Sequence, residues 1–178
     1  LGVGSLQIST ISVSLGRRIR WPDDYFTLSH SLSYSLYQMN NYTFFRAFPN
    51  GRSNSVVLSH TLSRNSVDNP TYPRNGSSLS LTLFTTPPYS LFNPDIARDE
   101  NVGQQQYRWV EYYKMNYDMA WYMEVVNKLV LAMRAHYGFI GRYNDKMPYS
   151  PFERFLLGGN GLTGFNFLLG SDVIGLRG

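Results

Sequence analysis

The chain has 178 residues, 43% hydrophobic and 16% charged, with a formal charge of +4 and no cysteine. This composition fits one ordered domain and excludes a disordered tail, a disulfide framework and any thiolate catalysis or thiolate zinc site. The 16 basic residues are scattered and partly offset by 12 acidic ones, which argues against a nucleic-acid groove. No stretch reaches the roughly 20 apolar residues of a membrane helix, and residues 1–10 lack the charged and apolar regions of a signal peptide. The chain opens inside an alternating run and closes on Leu176-Arg177-Gly178, so a segment of a longer protein is expected.

A period of two dominates, the mark of strands with one apolar and one polar face. The first run is Leu6 and Ile8, then Ile11, Val13 and Leu15; the change of phase predicts a bulge near Thr10. The second sets Phe26, Leu28, His30, Leu32, Tyr34 and Leu36 against Thr27 and the serines from Ser29 to Ser35. The third sets Val56, Leu58, His60 and Leu62 against Val57, Ser59, Thr61 and Ser63, and the fourth sets Leu79, Leu81 and Leu83 against Ser78, Ser80 and Thr82. From Tyr107 a fifth run carries Tyr107, Trp109, Tyr113, Met115, Tyr117, Met119, Trp121, Met123 and Val125, with Arg108, Lys114, Asn116, Asp118 and Glu124 opposite. Leu129, Leu131, Met133, Ala135, Tyr137 and Phe139 form a sixth, facing Arg134 and His136. No helix is predicted.

The connections alternate in length. Turn residues make short links at Trp21-Pro22-Asp23-Asp24, at Pro70-Thr71-Tyr72-Pro73-Arg74-Asn75-Gly76 and at Val126-Asn127-Lys128. The others are long, covering residues 40–54, 87–106 and 142–178. An antiparallel meander therefore carries its short turns at one end and its long loops at the other. With strands near or above the ~9–11 residues that cross a bilayer, this is the pattern of an outer-membrane barrel. Aromatic residues toward strand ends, at Tyr25 and Phe26, Tyr107 and Trp109, and Tyr137 and Phe139, suit interfacial girdles. A soluble antiparallel sandwich shares the alternation and stays open on these grounds. Six strands cannot close a membrane barrel, whose minimum is about eight, so further strands are expected outside this sequence.

Residues 142–178 are too long and too apolar for an ordinary solvated loop, and are expected to fold back against the barrel, where glycines permit close approach. Gly159-Asn160-Gly161-Leu162-Thr163-Gly164 matches a dinucleotide fingerprint only formally, since no helix or acidic residue follows at the needed spacing. His30, His60 and His136 lack metal-ligand spacing. Asp118 and Glu124 lie about 20 Å apart along one strand, too far for a catalytic carboxylate pair. Arg64 and Asp68, near one turn, are expected to form a rim ion pair of little weight. No Gly-x-Ser-x-Gly elbow is present, and neither an enzymatic role nor a cofactor or metal is expected.

More specific residues follow in the last loop. Pro151-Phe152-Glu153-Arg154-Phe155-Leu156-Leu157-Gly158-Gly159, then Gly161-Leu162-Thr163-Gly164-Phe165 and Leu176-Arg177-Gly178, closely resemble the sixth extracellular loop of the BamA family of outer-membrane protein assembly factors. Residues Arg64 to Pro70 with Tyr72 to Gly76 look like that family's turn between its eighth and ninth strands, and Gly16 to Tyr25 is similar to its Bacteroidetes branch. The resemblance implies an all-β, antiparallel, up-and-down transmembrane barrel of sixteen strands. Residues 1–178 would be part of that C-terminal barrel domain: about strands six to eleven in 1–141 and extracellular loop 6 in 142–178. The soluble POTRA domains and the first and last strands would lie outside it.

The resemblance further implies a multi-pass protein of the outer membrane that folds and inserts other barrels. Its partners would be unfolded outer-membrane clients, accessory lipoproteins and outer-membrane lipid, with no nucleic acid. Its lumen motif carries onto Leu176, Arg177 and Gly178, and its supporting motif onto Phe152, Glu153, Arg154, Phe155, Gly158, Gly159, Gly164 and Phe165. Thr163 stands where many members have an arginine before Gly-Phe, so the family's loop arginine is carried onto Arg177. A related translocation pore, a passive porin and a soluble glycan-binding sandwich are the competing readings.

Overall fold

A computed structural model describes residues 4–41, 49–93, 108–147, 149–150, 152–153, 155–157 and 171–173. Its centre is a six-stranded antiparallel sheet in sequence order. The strands are β1 (Ser5–Ile19), β2 (Phe26–Asn40), β3 (Gly51–Asn65), β4 (Gly76–Thr85), β5 (Tyr113–Val126) and β6 (Leu129–Gly141). A one-turn helix, α1 (Tyr89–Phe92), follows β4, and two three-residue strands, β7 (Phe155–Leu157) and β8 (Ser171–Val173), pair with each other.

Pairing aligns like with like across the whole sheet. The row Val13, Leu32, Leu58 and Thr85 lies on the apolar face, as does Leu28, Leu62, Leu81, Tyr117 and Tyr137. On the opposite face hydroxyls meet in register and bond across strands: Thr10 with Ser35 at 2.9 Å, Ser14 with Ser31 at 3.3 Å and Thr61 with Thr82 at 3.1 Å. The apolar face is bare. Ile11 is 74% exposed and Leu15 73% exposed, a contiguous display that water does not tolerate without a covering phase.

The one polar feature in that leucine field is His30, directly opposite His60 in register, with Leu15 and Leu83 completing the row. The two Nδ1 atoms share a hydrogen bond, so one imidazole donates and the other accepts.

Several sequence expectations are corrected. No bulge interrupts β1, which keeps one register with β2 from Ser5↔Asn40 to Ile19↔Phe26. Leu6 and Ile8 instead lie on the hydroxyl face beside Met39 and Tyr37, where that face is itself apolar. The register shift of the sheet falls between Glu124 and Val126, before the tight β5–β6 turn in which Lys128 takes φ 70°. Of the fifth run, Tyr107 lies outside the described residues, Trp109 stands in an isolated bridge and β5 starts at Tyr113. Pro87-Pro88 ends β4 early, because proline cannot donate to a ladder. The upper half of β3 is left without β4, and Trp109 fills part of the gap through a parallel bridge to Asn54. The helix α1 was not expected, since a single turn is too short to show a 3.6 period. Arg64 does not pair with Asp68: its guanidinium reaches Asp23 at 2.9 Å and lies over Tyr25 and Phe26.

Asp68 instead organises the β3–β4 turn, its Oδ1 accepting the N–H groups of Asn69 at 2.8 Å and Arg74 at 3.0 Å. Gly76 closes that turn at φ 107°, where a Cβ would stand 2.2 Å from the Ser66 carbonyl oxygen. The bonds from the backbone, Arg74 first, hold the Asp68 carboxyl below its usual pKa. Its support of the turn is therefore complete above the unfolded value, about 3.9, and is lost as pH falls through the lower folded value. The Arg74 amide resonance should shift in one step below about pH 4; in Asp68→Asn that step should vanish.

The histidine pair makes a second prediction. His30→Leu or His60→Leu alone should lower stability by about 1–3 kcal/mol, because the remaining ring keeps a polar atom without its partner. The double leucine variant should unfold at or above the wild-type urea midpoint, measured on the full-length protein in detergent.

Candidate functional site

Buried side chains gather at the end of the sheet that carries the long loops. They are Met39, Val110, Tyr112 and Met147, with Ser53, Ser55, Thr86, Ser90, Glu111 and Ser150. Two loops build this cap. In the first, the buried Glu111 carboxylate accepts both the backbone N–H and the hydroxyl of Ser90, each at 2.7 Å, and Tyr112 exchanges hydrogen bonds with Thr86. That pairing ties α1 to the entry of β5. In the second, Arg142 donates to the Met147 carbonyl at 2.9 Å, reaches Asp145 at 3.4 Å and stacks over Tyr149.

The chain then returns across the hydroxyl face. Phe152 stacks on Tyr37 with ring centroids 4.2 Å apart and 19° between planes. Glu153 accepts from Lys114 Nζ at 3.2 Å. Lys114 also lies 4.8 Å from the Phe155 ring centroid and 6.0 Å from that of Phe84, and only 13% of its side chain is exposed. The ammonium is thus held by one carboxylate and two aromatic faces, a set of partners that offsets its desolvation. Tyr112 borders the same carboxylate. Burial first, and then the Glu153 charge, push its phenol well above the usual range, so it stays a neutral hydrogen-bonding group.

Gly138 makes room for the last contact. A Cβ there would meet the Phe155 ring at 2.5 Å, so glycine lets the ring lie on the strand backbone. Beside it in the row, Asn116 Oδ1 is buried and has no hydrogen-bond partner among the described residues. Further down the face, His136 Nδ1 and Asp118 Oδ1 are 2.6 Å apart, an exposed pair in one row with Ser80.

Of the residues singled out in the sequence, the structure brings Phe152, Glu153 and Phe155 together on one wall. Arg154, Gly158, Gly159, Gly164, Phe165, Leu176, Arg177 and Gly178 lie outside the described residues. Their receivers, Tyr37, Lys114, Tyr112 and Gly138, were not singled out. Gly138 and Lys114 carried a faint signal, as a glycine and a lysine on otherwise regular strand faces, but their partners lie 17 and 39 residues away in sequence.

A long-loop cap, a hydroxyl-lined face and a bare apolar face are those of a six-stranded antiparallel fragment of a β-barrel. The model of the Omp85 superfamily domain matches residues 5–172, and the chain belongs to that superfamily. No curated protein matches the sequence. Membership places the chain in the outer membrane, in the assembly of outer-membrane proteins, and in a non-enzymatic role. Among the described residues no group of three or more His, Cys, Asp or Glu side chains could hold a metal.

Disturbing the docked loop should free it. Glu153→Gln removes the partner of a mostly buried ammonium, and Gly138→Val displaces Phe155; each should raise the rate of proteolysis within residues 142–157 about tenfold in the full-length protein. Substitution of the exposed Tyr72 by Ala, at the opposite end, should leave that rate unchanged.

Proposed function

We propose that this chain is the rear wall and sixth loop of the central barrel subunit of the outer-membrane assembly machinery, the protein that folds and inserts other barrels. The observation that carries this reading is the seating of Phe152, Glu153 and Phe155 on Tyr37, Lys114 and Gly138. These loop residues stand within the segment whose resemblance to the assembly factors is most specific. In this reading β1 to β6 are strands six to eleven of a sixteen-stranded barrel, residues 142–178 are extracellular loop 6, and residues Gly16 to Tyr25 give it a Bacteroidetes-like character. Further strands pair with the outer edges of β1 and β6, because an open edge cannot face lipid.

The mechanism follows from where free energy is available. The outer membrane supplies no ATP, so insertion draws on the client's own folding. A weak seam between a barrel's first and last strands offers an edge on which client strands can form by β-augmentation. The seam can yield only if the rest of the wall does not. Here the rear wall is braced from inside: the loop bridges β2, β5 and β6 through Tyr37, Lys114 and Gly138. Arg177 is assigned as the loop's arginine, reaching carboxylates on later strands in a charge-assisted lock. Clients, accessory lipoproteins and lipid are its partners.

Two experiments test this. In complementation, Arg177→Ala should impair barrel assembly while Arg98→Ala, in the preceding long loop, should be tolerated; equal tolerance removes the assignment of Arg177. On depletion of the intact protein, several unrelated outer-membrane barrels should lose their heat-modifiable folded form. Loss of one exported substrate alone would make the protein a dedicated translocation pore instead.

A further inference from the structure

The apolar face changes character at its loop end. Along β1 the residues of this face run Leu15, Val13, Ile11, Ser9, Gln7 and Ser5; along β2, Leu32, Tyr34, Leu36, Gln38 and Asn40; along β3, Leu58, Val56, Asn54 and Arg52. Register places Gln7, Gln38 and Arg52 in one row, with Ser5 and Asn40 in the row beyond. From Leu36 to Phe26 the apolar stretch of β2 rises about 34 Å along the strand, which a barrel tilt of about 40–45° reduces to about 25 Å. That is the height of the apolar band of an outer-membrane barrel. The polar rows therefore stand at the level of lipid headgroups on the cell-surface side, and they look outward.

These side chains surround a cavity of about 360 Å³ lined by Ser5, Gln7, Gln38, Asn40 and Arg52, with Met39 and Gly51 between them. It opens to the outside, and its size lies within the range of small-ligand sites. Among the described residues none of the five polar side chains makes a hydrogen bond within the protein, and no carboxylate pairs with Arg52. The contrast with Arg64 is informative. Arg64, on the same face at the other end, is bound by Asp23, Ser66 and Ser77.

We propose that this cavity binds the headgroup of an outer-leaflet glycolipid that carries phosphate on an amide-bearing sugar. The Arg52 guanidinium presents paired N–H donors matched to phosphate oxygens. The amides of Gln7, Gln38 and Asn40 both donate and accept, as sugar hydroxyls and amides require. Below them Leu36, Tyr34, Ile11 and Val13 continue the same face and receive the acyl chains. The site rests on the proposed barrel reading, since it needs this face to meet lipid. It would fix the rear wall to the outer leaflet.

The test uses the full-length protein in neutral detergent and native mass spectrometry with lipid A, its dephosphorylated form, or inorganic phosphate. Wild-type protein should retain lipid A, Arg52→Gln and Gln38→Ala should each retain about tenfold less, and removal of the phosphates should cost a similar factor. Arg74→Gln, in the opposite turn, should bind as wild type. Millimolar inorganic phosphate should not displace the lipid; displacement would make this a free-anion site and overturn the glycolipid assignment. Equal retention by Arg52→Gln and wild type would also overturn it, as adhesion to the whole belt. Heat-modifiable mobility, read on the same samples, separates the two levels: a folded barrel that ignores lipid A sinks only this site, and a protein soluble without detergent sinks the barrel reading beneath it.

Discussion

The structure depends on one constraint, that backbone N–H and C=O groups facing hydrocarbon must be paired by the chain itself. The sheet meets it with an antiparallel ladder that runs in sequence order from β1 to β6 and shifts register between Glu124 and Val126. Because strand side chains alternate, that ladder yields two faces from one sequence, and no helix or second sheet is needed to cover the apolar one. Lipid does so. The hydroxyl face can then hold small polar groups in register, and their cross-strand bonds add to the ladder without crowding the interior. The polar pair set among the leucines of the apolar side, His30 and His60, satisfies itself.

Where the ladder ends, side chains take over. At the loop end β4 stops at Thr85, and the upper half of β3, which lacks β4 as a partner, is partly closed by Trp109 and Val110. Glu111 and Arg142 then anchor two loops whose residues form the buried cap. Phe152, Glu153 and Phe155 make three unlike contacts, an aromatic stack, an enclosed ion pair and a ring on glycine. Each fixes a different strand, so the loop resists changes of curvature that any one contact would permit. In the proposed barrel, a wall braced in this way would concentrate deformation elsewhere, as an insertion seam requires.

The strands and their faces were legible because a period of two is a local signal, repeated in each run from Phe26 to Phe139. What failed was long-range or too short. The phase change between Ile8 and Ile11 looked like a bulge, since sequence cannot show that the hydroxyl face turns apolar beside Tyr37 and Met39. Arg64 had an acid nearby in sequence, Asp68, and another across the β1–β2 turn, Asp23; geometry chose the second because Asp68 was already committed to the backbone of its own turn. The loop residues Phe152, Glu153 and Phe155 were visible through resemblance. Their receivers were not, because a lysine or glycine on a strand face acquires meaning only when the loop lands on it.

The central claim is that one face of this sheet meets lipid and the other meets the barrel interior. Nitroxide labels placed singly from Leu28 to Leu36 of β2 in the full-length protein, reconstituted in bilayers, test it directly through collision with oxygen and with a water-soluble nickel complex. The account predicts a period of two, with even positions reporting oxygen and shielded from nickel, and odd positions showing the reverse. Uniform accessibility, or even positions shielded from both reagents as in a packed protein core, would contradict it.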